Sequence, residues 1–545
     1  MASLQKQKFS MILYYVLPIL ITGFAYGWEV GSMGGILAMP QFLSYMNTPS
    51  PFRQGLMTVS LIAGEFVGSL LIGQFFSDYF GRRMAIMITV VLYLTGQAVV
   101  VAAQGSGMFI AGRVLNGFGA GPLFQTMSFY TAEITPPHIR GRVTATLNLG
   151  IAVGVLVAYW VQYGALKISG NTAWRLCFAL QLVPGAIVGV VMIFRPESPR
   201  WLVQHERDDE ALQVLAKLHG NDDLNNALVR AELEEIRAVV NLELSSSAPS
   251  YSTLLFGKDY RRRTALGMGL QCMQQLSGAN IVLYYAAKVF SQTGRTGSTA
   301  ALLANGISSA LLVVGTLSLT LLLDFYGRRK PIFLGPAFMG GCLLIVGSML
   351  IGFGSPQFNT ITNAVEFTFV NQNAGNTAVA FMFLFQFFFG ALNSSVPWTY
   401  MSEVFPVVAR ARGTSLATAS NYFTNFWLGL YIPQALNSAS WKLYYIFGGI
   451  NFMCAVIGFL FFPETAGRSL EELDLLFVSG RKTFVFLDRD ATTKRPMLED
   501  RLDAEDPEAV AMELRKQLAK ASSAENYPGG NDKEGIITAT HQEKA

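Results

Sequence analysis

Charge is scarce in this chain. Asp, Glu, Lys and Arg make up only 14% of its 545 residues, against 51% hydrophobic, where a typical soluble domain is about a quarter charged. So few charges cannot clothe several water-facing domains, and a mean hydropathy of +0.37 puts lipid around most of the chain. Histidine and cysteine are equally sparse, at four each. Cys177, Cys272, Cys342 and Cys454 all fall in apolar segments without metal-ligand spacing, which argues against a disulfide framework or zinc site and leaves them as packing residues. His138, His205, His219 and His541 lie outside the apolar segments, which argues against a membrane-embedded histidine relay or metal site. A net charge of +4, with basic residues in short clusters, gives no case for a nucleic-acid partner. There is no nucleophile with its base, no phosphate loop and no metal cluster, so an enzyme is the least favoured reading and no cofactor is expected.

What is abundant is Phe, with 40, and Gly, with 52. Phe suits lipid-facing surfaces, and Gly lets helices approach closely where water cannot drive association. An uncharged run of about 20 residues crosses a bilayer as a helix, because hydrocarbon tolerates only internally bonded backbone. Twelve such runs are read at 11–35, 55–77, 84–103, 108–130, 142–164, 174–195, 264–290, 300–323, 331–352, 377–401, 411–433 and 441–462. The first carries no cleavage site and is read as retained.

This divides the chain into a short N-terminus (1–10), a six-span half (11–197), a polar linker (198–263), a second six-span half (264–462) and a tail (463–545). Helical patterns are read in the linker at Asp208–Leu218 and Ala227–Leu242, and in the tail at Asp503–Ala521; the last two dozen residues have a disordered composition. Nine Arg and Lys in the even-numbered loops, against six in odd-numbered loops that are in part much longer, place both termini and the linker in the cytoplasm.

The halves repeat. Asp78-Tyr-Phe-Gly-Arg-Arg83 returns as Asp324-Phe-Tyr-Gly-Arg-Arg329, and Glu133 with Arg140-Gly141 returns as Glu403 with Arg412-Gly413. Pro196-Glu-Ser-Pro-Arg200 has its counterpart in Pro463-Glu-Thr-Ala-Gly-Arg468. Parallel six-span repeats are the build of a secondary transporter that rocks about a midplane site. The strings GRVLNGFGAG, DYFGRR and DFYGRR, PESPRWL, QQLSGAN followed by LYY, VPW with SEVFP, and PETAGRSLEEL occur in order. In these the chain resembles the sugar porter family of the major facilitator superfamily over about residues 11–478, closest in flavour to fungal hexose and polyol porters. The resemblance implies an all-α integral membrane protein of twelve helices in two pseudo-symmetric bundles joined by a cytoplasmic helical linker. It implies a monomer in the plasma membrane that moves a small sugar, polyol or glycoside by alternating access.

Glu29 in the first span and Arg113 in the fourth must pair or line water, since a lone charge at the bilayer centre costs roughly 3 kcal/mol on translocon scales. The family's proton-coupled members carry a carboxylate opposite an arginine at these places, usually Asp where Glu29 stands. Burial favours the neutral carboxyl and the guanidinium favours the charged one, so a pair reshaped by sugar can exchange a proton. Glu65 in the second span is another intramembrane carboxylate, read equally as a bundle hydrogen-bond partner or a proton group.

Polyols need amides and hydroxyls beside an aromatic face. The seventh span offers Gln274, Gln275, Asn280, Tyr284 and Tyr285, which splay on an unbroken helix at about 100° per residue. Ser277-Gly278 permits a break that brings them together. The alternative is that the amides bond helix to helix. The resemblance adds Asn421, Asn148 and Trp398 to the sugar site. Asn148 stands where Gln is usual, Leu312 where Asn is common, Tyr422 where Trp is common, and Asn393-Ser394-Ser395 where many members have Trp-Gly-Pro. These departures leave the sugar open.

Asp78, Arg82, Arg83, Glu133, Arg142 and Glu197, with Asp324, Arg328, Arg329, Glu403, Arg412 and Glu464, read as ion pairs latching the cytoplasmic side, or as residues that merely set topology. A proton-coupled symporter, a facilitative uniporter with a permanent Glu29–Arg113 bridge, and a sugar-sensing receptor signalling through its tail stand as the three readings.

Overall fold

The computed structural model of the chain describes residues 2–493, apart from 38, 48, 71–73, 136, 220–221, 246–248, 283–297, 360–363, 370, 440, 467, 469–472, 474–475 and 478–483. The expected tail helix over 503–521 lies outside the described residues, as do Tyr284 and Tyr285.

The first half is built from α1 (Ala2–Ile36), a short α2 (Pro40–Tyr45), α3 (Pro51–Gly68), α4 (Gln74–Phe80), α5 (Arg82–Val101), α6 (Ser106–Ile134) and α7 (Pro137–Ala165), closed by α8 (Thr172–Ala179) and α9 (Leu182–Ile193). The linker contributes α10 (Pro199–Gln204), α11 (Asp208–His219), α12 (Ala227–Ser245) and α13 (Tyr251–Phe256). The second half follows with α14 (Arg261–Leu276), α15 (Ser298–Tyr326) and α16 (Arg329–Phe353). After these come α17 (Gln372–Phe388), a π turn at Phe389–Asn393, α18 (Val396–Val404), α19 (Val407–Ser438), α20 (Trp441–Phe461) and a terminal turn α21 (Arg489–Thr492). Among the described residues, seven of the twelve expected spans are long and apolar enough to cross a bilayer on length and composition alone. The other five are the spans carrying Glu29, Glu65, Arg113, the glutamines of α14 and Asn421, which is where a bundle with a polar interior must give up hydropathy.

Two features lie beyond the sequence reading. The first helix reaches back to Ala2 instead of starting near residue 11. Between the ninth and tenth spans sits an antiparallel hairpin, β1 (Gly354–Asn359) with β2 (Ala364–Phe369), in register Gly354 to Phe369. Phe369 is buried in the core of the second half with Met382 and Phe385.

Glycine sets the packing within the first half. Gly23, Gly27 and Gly31 repeat every four residues on the α1 face that meets α7, and a Cβ on Gly27 would land on the Ile151 carbonyl. Gly117 of α6 lies equally tight against the Leu61 carbonyl of α3. Backbones can come this close only where side chains are absent. The halves meet along two seams, α7 with α15 and α3 with α19. The seams hold Gly306 against the Trp160 ring and Gly55 against Leu430. All four residues lie toward one end of the bundle, the end at which α3 starts and α7 stops.

The linker docks on the opposite end. His219 of α11 sits between the Glu232 carboxylate, 2.7 Å away, and the Ile134 carbonyl at the end of α6, 3.1 Å away. Tyr15 of α1 donates to the Leu218 carbonyl at 3.0 Å.

Gly117→Leu should drive α3 and α6 apart and cost about 1–3 kcal/mol or more of stability. Thermal unfolding of the detergent-purified protein checks this; an unchanged midpoint would remove the close approach as a determinant of the fold.

Candidate functional site

Two helices are interrupted at the same depth. The seventh span stops at Leu276, and Gly278 turns the chain at φ +86°, a conformation that only glycine enters without strain. The tenth span loosens into the π turn at Phe389–Asn393 and restarts at Val396 with Pro397 in its first turn. Gln274 joins the two breaks. Its Nε2 donates to the carbonyls of Asn393 and Ser394, 3.0 Å each, and its Oε1 accepts from Asn421 Nδ2 at 3.0 Å. From there the amides run on. Gln275 Nε2 donates to Asn421 Oδ1 at 2.7 Å, and Asn280 Nδ2 donates to Gln275 Oε1 at 2.5 Å and to Asn425 Oδ1 at 2.9 Å. Asn421 Nδ2 also donates to Gln271 Oε1 at 2.7 Å.

The geometry therefore brings four expected residues together: Gln274, Gln275, Asn280 and Asn421. Sequence reading missed Gln271 and Asn425. A signal for both existed, since Gln271 precedes Gln274 and Gln275 by three and four residues and Asn425 follows Asn421 by four, so each lies on the same helix face as its partners. Asn393 Nδ2 and Ser395 Oγ, at the tenth-span break, are buried without a hydrogen-bond partner among the described residues. The string in which a stacking tryptophan is commonly found thus supplies two backbone acceptors and two free polar atoms beside Gln274.

Asn148 and Trp398 lie apart from this network. Asn148 is half-buried on α7 and makes no hydrogen bond with the amides among the described residues. Trp398, at the start of α18, crosses to the first half, its ring edge-on to Phe124 at 5.6 Å; Phe124 in turn lies 4.7 Å from the Tyr26 ring. Leu312 and Tyr422 are buried.

The charged pair is where the sequence puts it. Arg113 Nη1 donates to Glu29 Oε1 at 3.0 Å, with side-chain exposures of 2% and 0%. Glu29 Oε2 has no hydrogen-bond partner among the described residues. The Arg113 guanidinium also lies 6.0 Å from the Phe178 ring centroid. Glu65 of α3 is buried nearby, accepting from the Tyr26 hydroxyl at 3.4 Å through Oε2.

At the end of the bundle away from the seams, the repeated strings form two matching clusters. Arg82 holds Glu133 through Nε at 3.0 Å and Nη2 at 3.2 Å, and reaches Asp78 at 3.5 Å. Arg328 holds Glu403 at 3.1 Å. Ser198 donates to Glu133 and Thr465 to Glu403, each at 2.5 Å. Glu197 accepts from the backbone N–H of Arg82 at 2.8 Å, and Glu464 accepts from that of Arg328 at 2.8 Å. Gly81 and Gly327, at φ +93° and +78°, leave room for these carboxylates, since a Cβ at either would strike one. Burial pushes the Glu197 carboxyl up from its ordinary value, against the pull of the Ser198, Arg83 and Arg82 N–H groups.

Not every basic residue of the strings meets an acid through its side chain. The guanidinium of Arg83 donates to the carbonyls of Met192 and Ile193, and that of Arg329 to those of Phe462 and Phe459, so both cap helix ends. Arg412 donates to the Pro249 carbonyl at 3.0 Å and ties α19 to the linker. Each of the named ion pairs stays inside its own half. The side chains of Arg142 and Asp324 lie outside the described residues.

The chain matches a family model described as sugar (and other) transporter over residues 15–477. It is 36% identical over 464 residues to a high-affinity glucose transporter of Kluyveromyces lactis, covering 84% of both chains. To the MFS glucose transporter mfs1 of Aspergillus flavus it is 36% identical over 479 residues, covering 86% of this chain and 90% of that one. Among solved structures, the proton:xylose symporter XylE bound to 6-bromo-6-deoxy-D-glucose matches with a TM-score of 0.70 at 24% identity. That match covers 86% of this chain and 99% of the other, and speaks for the fold.

Glu133→Gln leaves the Arg82 guanidinium short of a charge partner, and should cost about 3 kcal/mol, the low end for breaking a buried pair. Glu210→Gln, in the exposed Arg207–Glu210 pair, should cost less than about 1 kcal/mol. Unfolding midpoints of the two variants should differ accordingly; equal midpoints would show that the Arg82 cluster contributes no more than a surface pair.

Proposed function

The chain belongs to the sugar (and other) transporter family, a family of membrane transporters and not of enzymes, and from that premise we propose that it is a proton-coupled symporter of a monosaccharide or related polyol. The observation that carries the sugar site is the amide network spanning two interrupted helices, with Asn393 Nδ2 and Ser395 Oγ beside it unpartnered among the described residues. A sugar hydroxyl both donates and accepts, so the several hydroxyls of one sugar can exchange for individual bonds of the network. The relatives named above transport glucose by their descriptions, which makes glucose the first sugar to try.

Alternating access follows from the two-half build. The halves close at one end, through Gly55 against Leu430 and Gly306 against Trp160, while the named ion-pair clusters at the other end each stay within a half. With the basic loops facing the cytoplasm, this is a conformation open inward, and both termini, the linker and the two clusters are cytoplasmic. The membrane is the plasma membrane, where a carrier of external sugar works.

Proton coupling rests on Glu29 and Arg113. A carboxylate whose second oxygen has no partner among the described residues is held by one guanidinium, and any step that draws Arg113 away favours proton uptake by Glu29. The gain is large: about 2.3 kcal/mol per charge at 100 mV, or more than tenfold in accumulation at about 1.4 kcal/mol per decade.

Uptake of a labelled sugar panel into transporter-null yeast, with and without a protonophore, tests the reading. Accumulation that the protonophore abolishes is expected; accumulation that stops at equilibrium in both conditions would make the chain a uniporter, and no uptake of any sugar would point to a receptor. Gln274→Ala should raise the half-saturation concentration by roughly 5- to 150-fold, from about 1–3 kcal/mol of lost hydrogen bonding. Glu29→Gln should lower accumulation far more than exchange at equal sugar on both sides; concentrative uptake with the parent pH dependence would remove Glu29 from the coupling.

A further inference from the structure

The Glu29–Arg113 pair does not stand alone. Glu65 is 1% exposed, and its backbone packs on Gly117 of α6, one turn past Arg113. Two carboxyls and one guanidinium therefore sit in one buried helix cluster, and if both carboxyls are ionised one negative charge is left without compensation, which burial disfavours strongly. The hydrogen bonding points the same way. Among the described residues Glu65 Oε2 has a single partner, the Tyr26 hydroxyl at 3.4 Å, and Glu65 Oε1 has none. A carboxyl placed only to tie helices together would be expected to have both oxygens satisfied. Glu29 Oε2 is also unpartnered among the described residues, so the site holds two carboxyl oxygens able to carry a proton.

Titratable groups stand on the helices around Glu65: Tyr26 and Glu29 on α1, Arg113 on α6 and Tyr93 on α5. Toward the seam, α3 meets the Leu430 backbone of α19 at Gly55, ten residues before Glu65. Ser69, one turn nearer the ion-pair end, is buried with its Oγ unpartnered among the described residues.

Tyr26 leads from Glu65 toward the sugar site. Its hydroxyl binds Glu65, its ring lies 4.7 Å from Phe124, and Phe124 meets the Trp398 ring at 5.6 Å. Trp398 opens α18, directly after the break at which Gln274 binds the chain. This row of rings crosses from the second half to the first. Movement of α18 against α6 acts on Phe124, whose ring packs on Tyr26, and a 3.4 Å hydrogen bond is near the limit at which a small shift makes or breaks it.

We propose that Glu65 is a second proton-carrying residue of this transporter, sharing the Arg113 charge with Glu29 and linked through Tyr26, Phe124 and Trp398 to occupancy of the sugar site. The inference rests on the proton-symport reading above. Glu65 takes its proton from water on the side to which the carrier is open and gives it back to water on the other, so no other reactant is consumed. Tyr26 is a positioning residue: with its hydroxyl on Glu65 the carboxylate is favoured, and with the hydroxyl withdrawn the acid is favoured.

The test uses the full chain in proteoliposomes, recording glucose uptake and glucose-evoked proton movement across a range of pH for the parent protein, Glu65→Gln, Glu65→Asp and Tyr26→Phe. Glu65→Gln should cut the protons moved per glucose by about half and shift or flatten the pH profile of uptake, as expected when one of two interacting sites is removed. Glu65→Asp should restore the profile in part. Tyr26→Phe, which keeps the carboxyl and the ring, should shift the profile with Glu65 in place, and it decides the matter if Glu65→Gln does not fold. Superimposable profiles and proton ratios for the parent and Glu65→Gln, or for the parent and Tyr26→Phe, would overturn the assignment while leaving symport through Glu29 standing. A parent protein that moves glucose with no proton signal would overturn both.

Discussion

Arg113 and Glu29 stand 3.0 Å apart at 2% and 0% side-chain exposure, and much of the first half follows from having to keep them together. Separating such a pair without a substitute costs about 3–5 kcal/mol, so the helices that carry it need exact and repeatable seating. Glycine supplies this. The α1 glycines lock that helix on α7, and Gly117, four residues past Arg113, locks α6 on α3. The same seating brings Glu65 within reach of the pair. A rigid bundle around an electrostatically sensitive centre can turn a small change in helix position into a change of protonation.

The second half answers a different requirement. It must present many hydrogen-bonding groups inside a lipid-surrounded bundle without leaving backbone unsatisfied. Two helices are opened, one by Gly278 and one by the π turn, and Gln274 takes up the carbonyls freed at the second. The amides satisfy one another in a continuous network, and that network is what a hydroxylated solute can enter by exchange. The division of labour between halves, charge in the first and amides in the second, is bridged at mid-depth by the Trp398–Phe124 contact.

The architecture was legible because lipid imposes a strong one-dimensional signal. Hydropathy located the spans, and the linker helices at Asp208–His219 and Ala227–Ser245 follow the amphipathic pattern read for them. Hydropathy reports the surrounding solvent and not the hydrogen-bond register, so it could not anticipate the π turn, the split of the sixth span between α8 and α9, or the hairpin after α16. The break at Gly278 was readable because glycine between amides has few other uses there. Gln271 and Asn425 were passed over because single residues were weighed one at a time, whereas the network selects whole helix faces. Repetition of acids and bases showed that clusters would form, but the exchange of side chain for backbone at Arg83 and Arg329 depends on where helix ends fall in space.

The central claim is that sugar binds between the interrupted helices by replacing hydrogen bonds within the amide network. An experimental density map of the protein with glucose bound tests it directly. The account predicts a sugar between α14 and α19 with hydroxyls on the Gln274 and Asn421 amides and the Gln274–Asn421 bond opened. A sugar seated elsewhere, with those amides still bonded to each other, would contradict it.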